Sequence, residues 1–384
     1  MMISSHTRLL IIGGGIHGTT LAVSYLEQGG ALDDVLIIDA NERLLDNWKR
    51  QTSTIEMTHL RSTRVHHVSS NPHALKQFAS RHDYGSHHFK DRFGRPSLAM
   101  FNDHCEQTIE ALGLPARFIG NEAVESIERH ETFVIQTTNR RITADTVIVS
   151  TGQSNTMHVP EWATLSTCRH VFSKSESEEQ ENVTVVGGGI TALHYAIARV
   201  NKGHHVTLVT KRPLEVSQFD ADRSFMGPKG LRAFHRLEDN WRDKREFVKR
   251  ERKPGSSPND LVLKIKRLIL TGRVRHLIGE TVRDGETLYV DGQAVPSEEV
   301  VCCTGIRPLE PSQSFLRPLL EQLSLPLTPC GTPVLDDTLA WTDGLYMTGP
   351  YADLVLGPFA RAIYGGQEAA RRIVPQLLKA KQKV

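Results

Sequence analysis

The chain has 384 residues, 39% hydrophobic and 23% charged, with a formal net charge of +2. That length allows two cores, and the composition is too apolar for a disordered chain. The near-neutral charge makes no case for a nucleic-acid partner, the cysteines lack any CxxC spacing for a disulfide framework or zinc site, and no apolar run is long enough to span a bilayer.

The chain runs from "MMISSHTR" directly into "RLLIIGG", a short apolar run fit for a parallel strand buried on both faces. With no targeting segment read there, a reducing, cytoplasmic setting is expected. Gly13, Gly15 and Gly18 follow as G-x-G-x-x-G. The first glycine allows a tight turn, the second a close approach of backbone to a pyrophosphate, and the third close helix–strand packing. Leu21, Ala22, Tyr25 and Leu26 form the apolar stripe of the next helix, whose N-terminus favours phosphate. A second run, "DVLIIDA", ends in Asp39, the position at which an acid binds a ribose 2′-hydroxyl.

Histidines gather between His59 and His104, with pairs at His66–His67 and His87–His88. Adjacent histidines on a strand point to opposite faces, so no metal site is expected. His66 or His67 is a candidate to line a pocket and handle a proton. Arg61 and Arg64 are candidates to hold an anionic substrate or a cofactor phosphate. "GRPSLAMFNDHCEQTIEALGL" predicts an amphipathic helix beginning after Pro96, with Phe101, Cys105, Thr108, Ile109 and Leu112 facing the core.

"SKSESEEQEN" reads as a surface linker. It leads into "NVTVVGGGITALHYAIARV", where Gly187, Gly189 and Ala192 repeat the first turn. Leu193, Ala196, Ile197 and Val200 form this helix's stripe. In the next strand Thr210 stands where Asp39 stands in the first unit, and Lys211 and Arg212 follow. Loss of the acid and gain of two cations favours a ribose 2′-phosphate, hence NADPH over NADH. The alternative is that both cations merely face solvent. The basic stretch from 223 to 253 reads as solvated helix with internal ion pairs, or as a guide for an acidic ligand. "KPGSSPND" is a second loop. Cys302 and Cys303 read as strand residues rather than a redox pair.

Two unlike glycine turns imply two unlike dinucleotides, and this layout resembles the two-dinucleotide-binding flavoproteins over nearly the whole chain. The resemblance implies an α/β fold of two Rossmann-like domains. An FAD-binding domain at 1–165 and 296–384 would be split by an NADPH-binding domain at 166–295. Thr151–Gly152 and Thr304–Gly305 resemble the crossings between such domains, and Trp48 lies in the segment that leads to the flavin. The C-terminal "DGLYMTGPYADLVLGPFARAIYGGQEAARRI" resembles the last strand and flavin-contacting helix. It places Gly349 and Pro350 where related reductases have Gly-Asp, and Gly357 and Pro358 at the start of the final helix.

Within that superfamily the segment from Leu44 to Ala79 resembles class B flavin monooxygenases, the ornithine and lysine N-hydroxylases in particular. The implied activity is NADPH reduction of FAD, then oxygen transfer through a C4a-hydroperoxyflavin to an amine or other soft nucleophile. The cofactor carries that chemistry, so no catalytic dyad is nominated. The F-x-G-x-x-x-H signature is absent, with Thr164 and Ser166 before His170. Its absence keeps open an NADPH-dependent reductase that passes electrons to a quinone, metal complex or protein. Pro350 in place of Asp keeps open a flavin-binding fold with no reaction. The partner expected is a small-molecule substrate, with O₂ on the monooxygenase reading, and no surface in the sequence defines an oligomer.

Overall fold

The structure is a computed structural model that describes residues 4–152, 157–163, 168–173, 180–237, 240–285, 287–307 and 310–381. Thr164, Ser166 and most of the linker after Ser173 lie outside the described residues.

Ser4–Ile12 forms the centre of the first sheet, in the order Ala340–Thr342, Leu345–Met347, Arg141–Val149, Ser4–Ile12, Val35–Ile38, Phe118–Ile119. Its neighbours on both sides run parallel to it. Strands of this kind are covered on both faces, which is why "LLII" reads as an unbroken apolar run. Leu10, Ile11, Ile37, Val147 and Ile148 are fully buried. The strand Arg141–Val149 divides its outer edge. Residues 141–144 pair antiparallel with the hairpin strand Phe133–Thr137, and 147–149 pair parallel with Leu345–Met347. Helix Ile16–Glu27 packs on the sheet and against the long final helix Ile363–Lys381.

The second sheet is wholly parallel, in the order Val274–Ile278, His205–Thr210, Asn182–Val186, Glu299–Cys302, Cys168–His170. It repeats the first: the strand before the glycine turn lies between the strand that follows it and a strand from much later in the chain. Helices Ile190–Asn201 and Asn259–Leu270 pack together on it. The stripe residues Leu193, Ala196, Ile197 and Val200 are at most 5% exposed.

The expected boundary at 296 falls one strand early. Glu299–Cys302 pairs with Val183–Val186, so the chain returns to the first sheet only after it. Cys302 and Cys303 accordingly sit at the end of that strand, and burial raises both thiols, Cys302 to about 12. Helix Leu98–Ala111 starts two residues after Pro96, where the Ser97 hydroxyl accepts from the Met100 amide. The basic stretch forms helices Pro228–His235 and Trp241–Glu251. Their inner side meets the segment from 353 to 359, while Lys249 pairs with Glu246 on the outer side at 2.9 Å.

Candidate functional site

A cavity of about 350 Å³ opens at the C-terminal ends of the first sheet's strands. Gly13, Gly15, Asp39 and Trp48 line one side of it, and Thr151, Gly152, Gly349 and Pro350 line the other. The sheet brings these together because its central strand and both neighbours end at the same level.

The three glycines of the first turn have separable roles. Gly13 sits at φ +107°, and a Cβ there would lie 2.6 Å from the Ser150 carbonyl oxygen. A Cβ on Gly18 would overlap the Gly13 carbonyl. Gly15 is different: a Cβ there meets nothing within 4 Å, because it projects into the cavity. Gly15 also caps helix Ile16–Glu27, which has no side-chain cap and no acid in its first turn. Its orphan N–H groups therefore face an open seat suited to a pyrophosphate.

Asp39 organises the turn. One carboxylate oxygen accepts from the Gly14 amide at 2.6 Å, the other from the Asn41 amide at 2.7 Å and side chain at 2.6 Å. A carboxylate has about four acceptor sites, so capacity remains toward the cavity. Trp48 is fixed by its indole N–H, which donates to Asn102 at 3.0 Å, and by Phe101 beneath it. These residues fit the adenosine and pyrophosphate end of FAD.

Arg361, Glu122 and His17 also line the cavity. Arg361 faces the cavity while its guanidinium grips Asp353. Glu122, 3% exposed, accepts from the amide and side chain of Asn139 and from the Thr137 hydroxyl. Burial pushes its carboxyl up, but those hydrogen bonds and Arg140 outweigh burial and hold it below the usual range. His17 lines the cavity with its Nε2 2.9 Å from the Ala362 carbonyl, and burial lowers its pKa. His17 stands inside the first glycine motif and Arg361 inside the C-terminal segment, but no local motif marks Glu122.

Other expected residues lie elsewhere. Arg61 does not reach the cavity. Its guanidinium donates to the carbonyls of Ser217, Gln218 and Phe219, to Ser256, and to Asp220 at 2.6 Å. Arg64 is exposed. Gly357 does not open the final helix: it starts a short 3-10 turn, the helix begins at Ile363, and a Cβ on Gly357 would touch Leu231. Thr304 and Gly305 form a crossing pinned to the strand-like segment at Met157–His158. The Thr304 hydroxyl donates to the His158 carbonyl, and the His158 amide donates to the Gly305 carbonyl at 3.0 Å.

In the second turn, Gly187 repeats Gly13: at φ +140° its Cβ would lie 2.6 Å from the Cys303 carbonyl oxygen. Ala192 is fully buried in its helix. Lys211 pairs with Glu280 at 2.9 Å, and Arg212 donates to the Pro254 carbonyl at 2.5 Å. Both cations are exposed but not idle. Gly189 faces a covered seat, since a Cβ there would lie 3.4 Å from the Cα of Gly255. The donor set suits a phosphorylated nucleotide, and the backbone of Gly255 covers the seat.

His66 and His67 line no part of the cavity. His66 packs on Tyr364, and His67 meets the edge of His104 with ring centroids 5.1 Å apart. Burial lowers His66 and His67 to about 4 and His104 to about 3. The unfolded chain holds these histidines near 6.5, so it binds protons first as pH falls. Their contribution is therefore complete above about pH 6.5 and is lost down through the folded values. Urea midpoints should fall steeply between pH 6.5 and 4, and His104→Phe should make that fall shallower. An unchanged slope in His104→Phe would exclude the cluster as the acid-sensitive element.

Among the described residues no three His, Cys, Asp or Glu side chains gather to hold a metal ion, and no helix is long and apolar enough to cross a membrane.

The profile of the family described as "Pyridine nucleotide-disulphide oxidoreductase" matches residues 10–238. No curated protein matches the chain by sequence. Among solved structures, an ornithine N-hydroxylase from Kutzneria sp. 744, with reduced FAD, NADP+ and L-ornithine, is similar at TM-score 0.77 and 15% identity, over 98% of this chain and 100% of that one. L-lysine 6-monooxygenase from Pseudomonas syringae gives 0.71 and 19%, with the same coverage of both chains, 98% and 100%. A bacillithiol disulfide reductase from Staphylococcus aureus gives 0.62 and 16%, again over 98% and 100%. At these identities the likeness establishes the fold alone.

Proposed function

The chain belongs to the pyridine nucleotide-disulphide oxidoreductase family and is an FAD- and NADPH-dependent oxidoreductase; from that premise we propose that it is a monooxygenase that hydroxylates a small amine. The balanced reaction is NADPH, a proton, O₂ and R–NH₂ giving NADP+, water and R–NHOH. In this reading 1–165 with the chain after Cys303 holds FAD, and the parallel sheet from Cys168 to Cys302 holds NADPH.

One observation carries the choice within the family. None of the five cysteines is in a disulfide and none lines the cavity, so the chain offers no disulfide chemistry there. The better fit of its full length to N-hydroxylases, 0.77 against 0.62, supports the same choice. When bound, the flavin supplies hydride acceptance and oxygen activation. The protein's share is to seat the pyrophosphate at Gly15 and the helix behind it, to take ribose hydroxyls at Asp39, and to hold the wall at Gly349, Pro350 and Arg361.

The test is coupling. FAD-loaded protein with NADPH and O₂ is given L-lysine, L-ornithine or cadaverine, and hydroxylamine product is counted against NADPH consumed. Amine-dependent product supports the proposal. The missing F-x-G-x-x-x-H signature favours a second reading, a reductase for a quinone, metal complex or protein. Fast anaerobic turnover with ferricyanide or a quinone, and no hydroxylamine in air, would establish that one instead.

A further inference from the structure

The two glycine turns differ at one equivalent point. Above Gly15 there is open space, whereas the backbone of Gly255 stands over Gly189. The covering loop is held on several sides. The Lys253 amide donates to the Asp220 carbonyl at 2.8 Å, and the Ser217 amide donates to the Ser257 carbonyl at 3.0 Å. Residues 256–257 pair with 215–216, and Arg61, reaching across from the first unit, donates to the Ser256 hydroxyl at 3.0 Å. Arg212 donates to the Pro254 carbonyl at 2.5 Å, and its Nη2 lies 3.6 Å from where a Cβ on Gly255 would stand. The side chain suited to a ribose 2′-phosphate is thus tied to the loop that covers the pyrophosphate seat.

We propose that Lys253–Ser257 is a gate over the second nucleotide seat, and that NADPH opens it by exchanging the Pro254 carbonyl for its 2′-phosphate as the partner of Arg212. The proposal rests on the second turn being the NADPH site. Opening and phosphate capture are then one event. A nucleotide without the 2′-phosphate must displace the loop with no compensating ion pair, so the gate itself discriminates against NADH. The apparent affinity is the intrinsic affinity multiplied by the fraction of molecules with the loop open.

Hydrogen exchange on FAD-loaded protein, with and without saturating NADP+, tests this directly. NADP+ should slow the amides of Ile190 and Thr191 at the helix N-terminus and speed those of Ser217, Lys253 and Ser256. Slowing at 190–191 with no change at 253–256 overturns the gate and leaves the NADPH site standing. No slowing at 190–191 removes the site and the gate together. Two variants add opposite signs by calorimetry. Ser256→Ala loosens the loop and should tighten NADP+ binding about threefold to tenfold. Arg212→Ala should weaken NADP+ at least about tenfold while NAD+ binding holds or tightens, because the loop loses its tie. A parallel weakening of both nucleotides in Arg212→Ala would mean a merely structural arginine.

Discussion

Gly15→Ala should give a folded protein that does not retain FAD, whereas Gly18→Ala should fail at folding. The two residues sit three apart in one motif, and the structure assigns the space beside each to a different owner. A methyl added at position 15 enters an empty cavity, and Gly15 has an ordinary backbone at φ −74°, so the apoprotein feels almost nothing. A methyl added at position 18 meets the backbone oxygen of Gly13, which cannot move without shifting the strand end from Ser150. Overpacking typically costs about 1–3 kcal/mol and occasionally more, and rigid backbone cannot relax to lower it. At position 15 the loss falls on the ligand instead. Charge-assisted hydrogen bonds from the helix N-terminus contribute about 1.5–3 kcal/mol each, and moving the pyrophosphate off two of them weakens binding at least about 100-fold. Flavin absorbance after desalting and the melting temperature of the apoprotein separate the two effects. Wild-type flavin content in Gly15→Ala would place the phosphates elsewhere.

What could be read in the sequence was what is encoded locally. Each glycine turn, the strand before it and the helix after it lie within about thirty residues, and strand burial shows as an apolar run. Asp39 was legible because its distance from the turn is fixed by one strand. Arg61 was not, because its partners at 217–220 and 256 belong to another unit of the chain. Its position after the flavin-leading segment suggested phosphate; the fold uses it as a clamp. Glu122 reaches the cavity by tertiary placement with no pattern around it, and Arg361 lies in the C-terminal segment whose resemblance singles out no arginine. The pairing of Glu299–Cys302 with Val183–Val186 is not legible for a related reason. An apolar run states that a strand is buried, not which strand it joins. Lys211 and Arg212 are legible as cations, but an amino-acid string does not say that Glu280 and Pro254 already engage them.

Asp353→Asn is expected to cost about 3–5 kcal/mol of stability, lowering the melting temperature by about 10 °C. Asp353 is 1% exposed and accepts from Arg361 Nε at 2.9 Å and from its Nη2, with Arg245 Nη1 3.6 Å away. Arg252 is a third guanidinium in the same field: burial and then Arg361 lower its pKa, and Asp353 and Asp220 oppose them. Asparagine keeps the shape but leaves these cations without their shared counter-charge. Because the pair is buried, 1 M salt should not erase the penalty. Arg361 also lines the cavity, so its release should weaken flavin retention in the same variant. Asp353→Asn combined with Arg361→Met should recover much of the stability, since an unpaired buried charge is worse than an apolar chain of similar length. Flavin retention should not recover with it, because the cavity wall at 361 is then gone. A penalty below about 1 kcal/mol that disappears in salt would instead show Asp353 behaving as a surface pair, with no role in holding Arg361 at the cavity.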